Sequence, residues 1–331
     1  MSVTVAAEGM RSAPNVLAGR SIPRPSWDRA YCAPMPGTPV IALPGVEPVS
    51  RDSRAVTWGN VMVDGHRVSY ATTGDGPPAL FLHGWGLRPN AYAEPIRRMA
   101  MAGCRVYAPA MPGFGGTREL PAEQRSFNGY AAWVGRFLDA VGESRVALVA
   151  GHSFGGGVST AFVHDHPGRA MSLLLANAIG GPTWASSADQ VRTMTQRPVW
   201  NWGRYFGTDL LHSPHLMRVL PTLLEDFIPN LMQNPLGMFR TGAFIRRADL
   251  LAELRTISRR RTPVLVAWSD RDGLVPRAAF DELRRAARVD GVVVEGSHTW
   301  LIGDPERFGE LAIHALVDSG ALTAPRFLRV V

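Results

Sequence analysis

Residues 145–155 read RVALVAGHSFG, an apolar run that leads directly into Gly151-His152-Ser153-Phe154-Gly155. The apolar run is typical of a buried strand, and a helical pattern follows the second glycine. Glycines on either side let the backbone turn tightly between a strand and a helix, so that the serine hydroxyl is exposed where the helix begins. The segment therefore indicates a nucleophile at Ser153. A plain glycine-rich turn is the alternative, and the presence or absence of partner residues decides between the two.

The rest of the chain alternates strand and helix patterns around this segment. Two strand patterns at residues 56–63 and 66–71 flank Asp64-Gly65, a pair that favours a type I′ hairpin turn. Further strands are predicted at 79–82, 105–109, 145–150, 171–176, 263–268 and 291–295, and helices at 91–102, 128–141, from 155 to about 164, 278–287 and 305–317. This alternation predicts an α/β protein with a mostly parallel sheet that helices cover on both faces.

The pattern divides the chain into four segments. Residues 1–55 are rich in proline, which disfavours helices and central strands, and are expected to form an extended N-terminal arm. Residues 56–180 are the first part of the core. Residues 181–250 are rich in aromatic residues and contain helical patterns without a convincing strand, which predicts a helical insertion. Residues 251–331 complete the core.

The partners that a serine nucleophile needs occur late in the chain. His298 follows the strand pattern at 291–295, on a loop before the last helix, where an imidazole can accept the serine proton and return it to the leaving group. The strand before that one ends in Ser269-Asp270-Arg271-Asp272-Gly273. Asp272 is favoured as the acid that orients His298, because it lies further into the loop and precedes Gly273. Asp270 is the alternative and is expected to support the turn or to pair with an arginine.

Acyl transfer also needs two fixed N–H donors for the oxyanion that forms at the attacked carbonyl. The backbone N–H of Phe154 is one candidate. The loop His83-Gly84-Trp85-Gly86 follows the strand at 79–82, and the backbone N–H of Trp85 is the second candidate by position. The side chain of His83 is expected to be structural and to hold this loop.

With these residues, the sequence resembles the α/β-hydrolase superfamily, specifically its serine-nucleophile branch with a helical cap, which is esterase- and lipase-like. The resemblance covers residues 56–320 and implies an eight-stranded, mostly parallel sheet with a cap inserted after the sixth strand. It carries the triad onto Ser153, Asp272 and His298. One departure is Ala110, where relatives usually have an aspartate two residues before the Pro-Gly pair. Gly84, His152, Trp184 and Trp300 are expected to line the substrate pocket.

The function predicted from this pattern is hydrolysis of a small or medium apolar carboxylic ester through an acyl-enzyme. Amide, lactone or carbon–carbon bond hydrolysis and perhydrolysis use the same triad and remain alternatives. A non-catalytic, ligand-binding member of the fold is the third alternative, since a fold does not determine function. No cofactor and no metal ion is expected, because the sequence has no recognisable metal or phosphate motif.

Composition narrows the classes of partner. The 331 residues are 46% hydrophobic and 19% charged, which is ordinary for a globular enzyme, and the net charge is +7. The densest arginine run, Arg255 to Arg261, has no interleaved aromatic residues and favours a solvated helix end over a nucleic-acid site. No apolar stretch reaches the length of a membrane span. The sequence also lacks a signal-peptide pattern, and a cytoplasmic location is expected.

Overall fold

Eight strands form one sheet in the computed structural model, which describes residues 55–185, 211 and 215–322. The strands are β1 (Thr57–Val63), β2 (His66–Thr73), β3 (Pro78–Leu82), β4 (Arg105–Pro109), β5 (Leu148–His152), β6 (Leu173–Ala176), β7 (Val264–Ser269) and β8 (Val292–Val294). Their order across the sheet is β1-β2-β4-β3-β5-β6-β7-β8. Only β2 among them runs against the others, because its pairings with β1 and β4 are antiparallel and all remaining pairings are parallel. The predicted fold class is confirmed.

The described helices alternate with these strands. They are α1 (Ala93–Met101), α2 (Phe127–Ala140), α3 (Phe154–Asp165), α4 (Pro182–Ala185), α5 (Leu216–Gln233), α6 (Pro235–Ile245), α7 (Leu251–Arg259), α8 (Arg277–Ala287), α9 (Trp300–Gly303) and α10 (Pro305–Asp318). Short 3₁₀ turns cover Pro89–Tyr92 and Ala122–Gln124. Hydrogen-bonding caps mark several helix starts: the Ser126 side chain accepts from Gly129 N–H before α2, and that of Asp304 accepts from Arg307 N–H before α10.

Apolar side chains from both faces of the sheet form the core. Helices α2, α3, α7 and α8 cover one face and α1 and α10 cover the other. The central strands β3, β5 and β6 are buried almost throughout, as a sheet covered on both faces requires. None of the described helices has both the length and the apolar character needed to cross a bilayer.

Several predicted boundaries differ from the structure by one to three residues, and two examples show how. The strand expected from Arg145 begins at Leu148 instead, after a single bridge between Val146 and Ala170. The helix expected from Ala91 begins as the 3₁₀ turn Pro89–Tyr92 and becomes α-helical at Ala93. The hairpin turn is as predicted, with φ of 52° at Asp64 and 75° at Gly65, the positive values that a type I′ turn requires.

The segment between β6 and α7, here called the β6–β7 insertion, contains the helices α4, α5 and α6 and no strand among its described residues. Residues 1–54, which make up the predicted N-terminal arm except for Ala55, lie outside the described residues, as do residues 186–210, 212–214 and 323–331.

Candidate active site

The turn at Ser153 is strained. Ser153 lies between the last residue of β5 and the first residue of α3, with φ of 55° and ψ of −116°. A residue with a side chain rarely adopts positive φ, and such a conformation costs about 1–3 kcal/mol. A Cβ at Gly151 would lie 2.4 Å from the carbonyl oxygen of Gly155, and one at Gly155 would lie 2.2 Å from that of Leu82. Both glycines are therefore required by the close approach of neighbouring backbone, and the strain falls on the serine.

The backbone around Ser153 is held by hydrogen bonds that cross the sheet end. Its N–H donates to the carbonyl of Ala176, at the end of β6, over 3.0 Å. Its own carbonyl accepts from the N–H of Ile179, in the loop after β6, over 3.3 Å. These contacts stabilise a turn that its own dihedral angles disfavour.

Asp272 and His298 form a buried pair at the same edge of the sheet. Nδ1 of His298 lies 2.8 Å from Oδ2 of Asp272, and their side chains are 2% and 0% exposed. Oδ1 of Asp272 accepts the N–H groups of Leu274 at 2.7 Å and Val275 at 2.8 Å. With Nδ1–H donated to the carboxylate, the imidazole has a defined tautomer, which leaves Nε2 as the basic atom of a neutral ring.

The other aspartate in this loop has a different role. Oδ1 of Asp270 accepts the N–H of Gly296 at 3.0 Å and lies 3.9 Å from Nε of Arg271. The Asp270 side chain is 47% exposed. Of the two aspartates, the structure brings Asp272 to His298, and Asp270 joins the loops after β7 and β8.

Asn177 also belongs to this site, although no sequence motif marks it. It follows β6 with φ of 44°, and its Nδ2 donates to Oδ2 of Asp272 and, at 2.7 Å, to Oγ of Ser269. Its Oδ1 accepts the indole N–H of Trp300 at 2.7 Å. An asparagine after a buried strand is a weak signal in itself. Its contact with Asp272 spans 95 residues of sequence and appears only in the folded chain.

Trp300 and His152, both expected to line the pocket, take part in hydrogen bonds inside the protein. Trp300 is 2% exposed, and its indole N–H is used by Asn177. His152 is 1% exposed; its Nδ1 lies 2.8 Å from Oη of Tyr92 and its Nε2 lies 2.9 Å from the carbonyl oxygen of His298. Both side chains hold parts of the site in place instead of presenting polar atoms to a pocket. Trp184 belongs to α4, but its side chain lies outside the described residues.

His83 organises the loop after β3. Its Nδ1–H donates to the carbonyl of Gly84 at 2.9 Å, and its Nε2 accepts the N–H of Met111 at 2.9 Å. Burial lowers the pKa of His83 to about 4, so the ring is neutral at pH 7 and has one donor and one acceptor nitrogen. His83 thus has the structural role expected from the sequence.

The loop with the Trp85 N–H and the turn with the Phe154 N–H lie against each other. Strands β3 and β5 are hydrogen-bonded neighbours, with Leu82 opposite Gly151. The Gly155 Cα packs against the carbonyl oxygens of Leu82 and His83, so closely that no Cβ fits there. The two candidate oxyanion donors therefore come from adjoining backbone segments.

The β6–β7 insertion also contacts the loop after β3. The indole N–H of Trp85 donates to the carbonyl of Met238 in α6 at 3.0 Å, and its rings lie 6.1 Å from the ring of Phe227 in α5. Phe244 of α6 packs against Phe154, with ring centroids 5.9 Å apart. The surroundings of both candidate donors are therefore apolar and aromatic.

Two polar side chains of α5 bind the backbone of the same region. Asp226 accepts the N–H groups of Arg88 at 3.1 Å and Ala91 at 2.9 Å and forms an ion pair with Nε of Arg88 at 2.7 Å. Asn230 donates to the carbonyl of Gly86 at 2.9 Å and accepts the N–H of Gly115 at 2.7 Å. Burial raises the pKa of Asp226, although Arg88 opposes this shift.

No group of three or more histidine, cysteine, aspartate or glutamate side chains within the described ranges has an arrangement that could hold a metal ion. Ser153, Asn177, Asp272 and His298 instead follow four neighbouring strands, β5 to β8, at their carboxyl ends. In open parallel sheets this edge is where ligands bind. The arrangement contains the components for transferring a proton from a hydroxyl to an imidazole.

Comparison with known proteins shows the family of this chain. The family model described as "Alpha/beta hydrolase family" matches residues 79–311, which begin at the second residue of β3 and include β4 to β8 and all residues of the candidate site. The chain belongs to the alpha/beta hydrolase family. This hydrolase-family chain is 29% identical over 264 residues to a protein of Mycobacterium phage D29 provisionally named as a non-heme haloperoxidase, covering 78% of this chain and 94% of the relative.

One further sequence relative and one solved structure with a similar fold are esterases by name. The pimeloyl-[acyl-carrier protein] methyl ester esterase of Shewanella oneidensis is 22% identical over 255 residues, covering 73% of this hydrolase-family chain and 92% of the esterase. The solved structure of a thermophilic esterase from Thermogutta terrifontis superimposes with a TM-score of 0.61 at 19% identity, covering 80% of this chain and 99% of that one. The structural likeness supports the fold, and the sequence relatives are consistent with a hydrolase.

Proposed function

We propose that this protein hydrolyses small or medium apolar carboxylic esters, with Ser153 as nucleophile, His298 as general base and acid, and Asp272 as the residue that orients His298. The observation that carries the proposal is the buried Asp272–His298 hydrogen bond beside the strained turn at Ser153. Strain at a serine between a strand and a helix is costly, and such strain is concentrated at functional sites.

The proposed reaction has two halves. Nε2 of His298 takes the proton of the Ser153 hydroxyl as its oxygen attacks the ester carbonyl, and the N–H groups of Trp85 and Phe154 stabilise the resulting oxyanion. His298 then protonates the leaving alcohol, which leaves an acyl group on Ser153. In the second half, water attacks this acyl-enzyme with the same base and releases the carboxylic acid.

The β6–β7 insertion supports an apolar substrate. Its aromatic side chains Phe227 and Phe244 pack beside Trp85 and Phe154, the residues of the two candidate donors. In this proposal the insertion is the cap of the site, which excludes water and binds an apolar acyl or alcohol group.

A panel of aryl esters with graded acyl chain length tests the proposal. We expect Ser153→Ala and His298→Ala each to lower turnover by at least ~10⁴-fold. A fluorophosphonate probe should label the wild-type protein and not Ser153→Ala. Ser172→Ala is the matched control, because this serine is buried and donates to the carbonyl of Ala147 at the other end of the sheet. Equal labelling of the wild-type protein and Ser153→Ala, or no labelling of either, would contradict the proposal.

Perhydrolysis is a second candidate for the same residues, favoured by the phage relative provisionally named as a haloperoxidase. Hydrogen peroxide would attack the acyl-enzyme in place of water and release a peracid and the free serine. Formation of peracid from an ester or carboxylic acid and hydrogen peroxide, measured by oxidation of a halide, distinguishes the two. If no peracid forms in a Ser153-dependent way, perhydrolysis is excluded.

A further inference from the structure

A buried chain of hydrogen bonds joins the loop after β3 to the loop after β8. The N–H of Gly84 lies 3.1 Å from Oη of Tyr92, Oη lies 2.8 Å from Nδ1 of His152, and Nε2 of His152 lies 2.9 Å from the carbonyl oxygen of His298. Tyr92 is 0% and His152 is 1% exposed. This hydrogen-bond chain passes through His152, the residue before Ser153, and ends at the backbone carbonyl of His298.

The groups at the two ends of this hydrogen-bond chain determine which atom donates in each of its hydrogen bonds. Gly84 N–H can only donate and the His298 carbonyl can only accept. Nε2 of His152 must therefore carry the proton, so Nδ1 accepts from the hydroxyl of Tyr92, which in turn accepts from Gly84. Burial and the nearby His298 hold the pKa of His152 well below its usual range, which keeps the ring in this neutral form.

The packing at Gly84 leaves no room for a side chain at this position. A Cβ at Gly84 would lie 2.9 Å from Oη of Tyr92 and 3.0 Å from Nδ1 of His152. The absence of a side chain at Gly84 thus lets the backbone before Trp85 approach both groups. The rings of His152 and His298 are also close, with centroids 4.8 Å apart.

We propose that Tyr92 and His152 are positioning residues, which set the distance between the oxyanion donor of the Trp85 loop and the imidazole of His298. The inference rests on the proposed function. Both groups must act on one tetrahedral intermediate, yet their loops follow β3 and β8, with three strands between them in the sheet. A displacement of about 1 Å in such a group can cost about 100-fold in rate. The hydrogen-bond chain gives these two loops a direct connection.

Tyr92→Phe tests the inference by removing one hydroxyl from the middle of the chain. We expect kcat for an aryl ester to fall by about 10- to 100-fold, with KM changed by less than about twofold, because the loops that surround the transition state lose their relative placement. Tyr107→Phe is the matched control, since the hydroxyl of Tyr107 donates to Glu143 at 2.9 Å and is not part of this hydrogen-bond chain. If the two variants lose stability alike and have equal kcat, the inference is wrong.

A double-mutant cycle separates a connected chain from two independent contacts. Glutamine at position 152 can retain the N–H donor toward the His298 carbonyl but cannot replace Nδ1 as the acceptor from Tyr92. His152→Gln should therefore lower kcat by an amount similar to that of Tyr92→Phe. The double variant should lose much less than the product of the two single losses, because both changes break the same link. Losses that multiply would overturn the inference.

NMR of protein labelled with ¹⁵N at histidine tests the proposed direction of these hydrogen bonds without measuring enzyme activity. The His152 signals, identified by their loss in His152→Gln, should show a protonated Nε2 and an unprotonated Nδ1 across pH 5 to 8. Tyr92→Phe should shift the Nδ1 resonance most. A protonated Nδ1 in the wild-type protein would overturn the proposed direction.

These outcomes are distinguishable from failure of the proposed function. If Ser153→Ala abolishes turnover and Tyr92→Phe leaves kcat unchanged, the proposed function stands and the positioning role is excluded. If Ser153→Ala retains full turnover, both proposals are wrong.

Discussion

Nδ2 of Asn177 and Nδ1 of His298 donate hydrogen bonds to the same atom, Oδ2 of Asp272. The second carboxylate oxygen accepts the N–H groups of Leu274 and Val275. Asp272 therefore receives four hydrogen bonds from the loops after β6, β7 and β8. A carboxylate that accepts four hydrogen bonds has little rotational freedom. The imidazole of His298, which donates one of them, is therefore held in one orientation as well.

The first prediction concerns Asn177. We expect Asn177→Ala to lower kcat by about 10- to 100-fold, because the carboxylate that orients His298 loses a side-chain donor and can rotate. Steady-state kinetics with an aryl ester measures the effect. Asn128→Ala is the control, since Nδ2 of Asn128 also donates to a carboxylate, that of Asp165 at 3.0 Å, but on the protein surface. Equal kcat in the two variants would contradict this role.

The two aspartates after β7 allow a direct comparison. Asp272→Asn should lower kcat by about 10⁴-fold, because an amide at this position favours the wrong tautomer of His298. Asp270→Asn should change kcat only mildly, because this half-exposed side chain holds the Gly296 N–H and does not contact the imidazole. The kcat values of the two variants, measured side by side, decide the assignment. A reversed ranking would make Asp270 the orienting residue.

The contacts of α5 predict an effect on stability and on the loop that carries the Trp85 N–H. Asp226→Ala leaves the N–H groups of Arg88 and Ala91 without their buried acceptor, so we expect a loss of about 3–5 kcal/mol in the free energy of unfolding. Urea denaturation measures it. Asp139→Ala removes an exposed ion pair with Arg169 and should cost less than about 1 kcal/mol. Similar costs would mean that Asp226 does not hold this loop.

Asn230→Ala should affect activity more than stability. Its side chain bridges the Gly86 carbonyl and the Gly115 N–H, so its loss frees the loop that carries the Trp85 N–H. We expect lower kcat with weaker binding of an aryl boronate, which mimics the tetrahedral intermediate. Unchanged boronate affinity would show that α5 does not influence the oxyanion donors.

Acid stability should depend on His83. The pKa of His83 is about 4 in the folded protein, against an ordinary value of 6.5. The unfolded chain therefore binds this proton more readily, so the free energy of unfolding should fall as pH decreases from about 6.5 to about 4, by about 3 kcal/mol from this group. Urea denaturation over this range should show a shallower pH dependence for His83→Gln than for the wild-type protein. If the free energy of unfolding depends on pH equally in both proteins, His83 does not contribute to acid sensitivity.

Local sequence was sufficient for most elements of the fold and for the candidate residues of the proposed reaction. The apolar run before Ser153 and the glycines on either side predict a strand, a tight turn and a helix, because backbone sterics at those few residues allow little else. Asp64-Gly65 predicts its turn for the same reason. His298 and Asp272 could be chosen as candidates because each follows a recognisable strand.

The contacts that orient these residues could not be predicted in this way. Asn177, Tyr92 and Asp226 carry no motif, and they meet Asp272, His152 and Arg88 across 95, 60 and 138 residues of sequence. Placement of β4 between β2 and β3 is likewise a property of the assembled sheet. Periodicity and turn chemistry act over a few residues, so the sequence by itself determined the strands, the helices and the candidate nucleophile with its partners. Which buried polar groups hold them was decided only by tertiary packing, because a buried donor or acceptor is satisfied by whatever lies nearest in space.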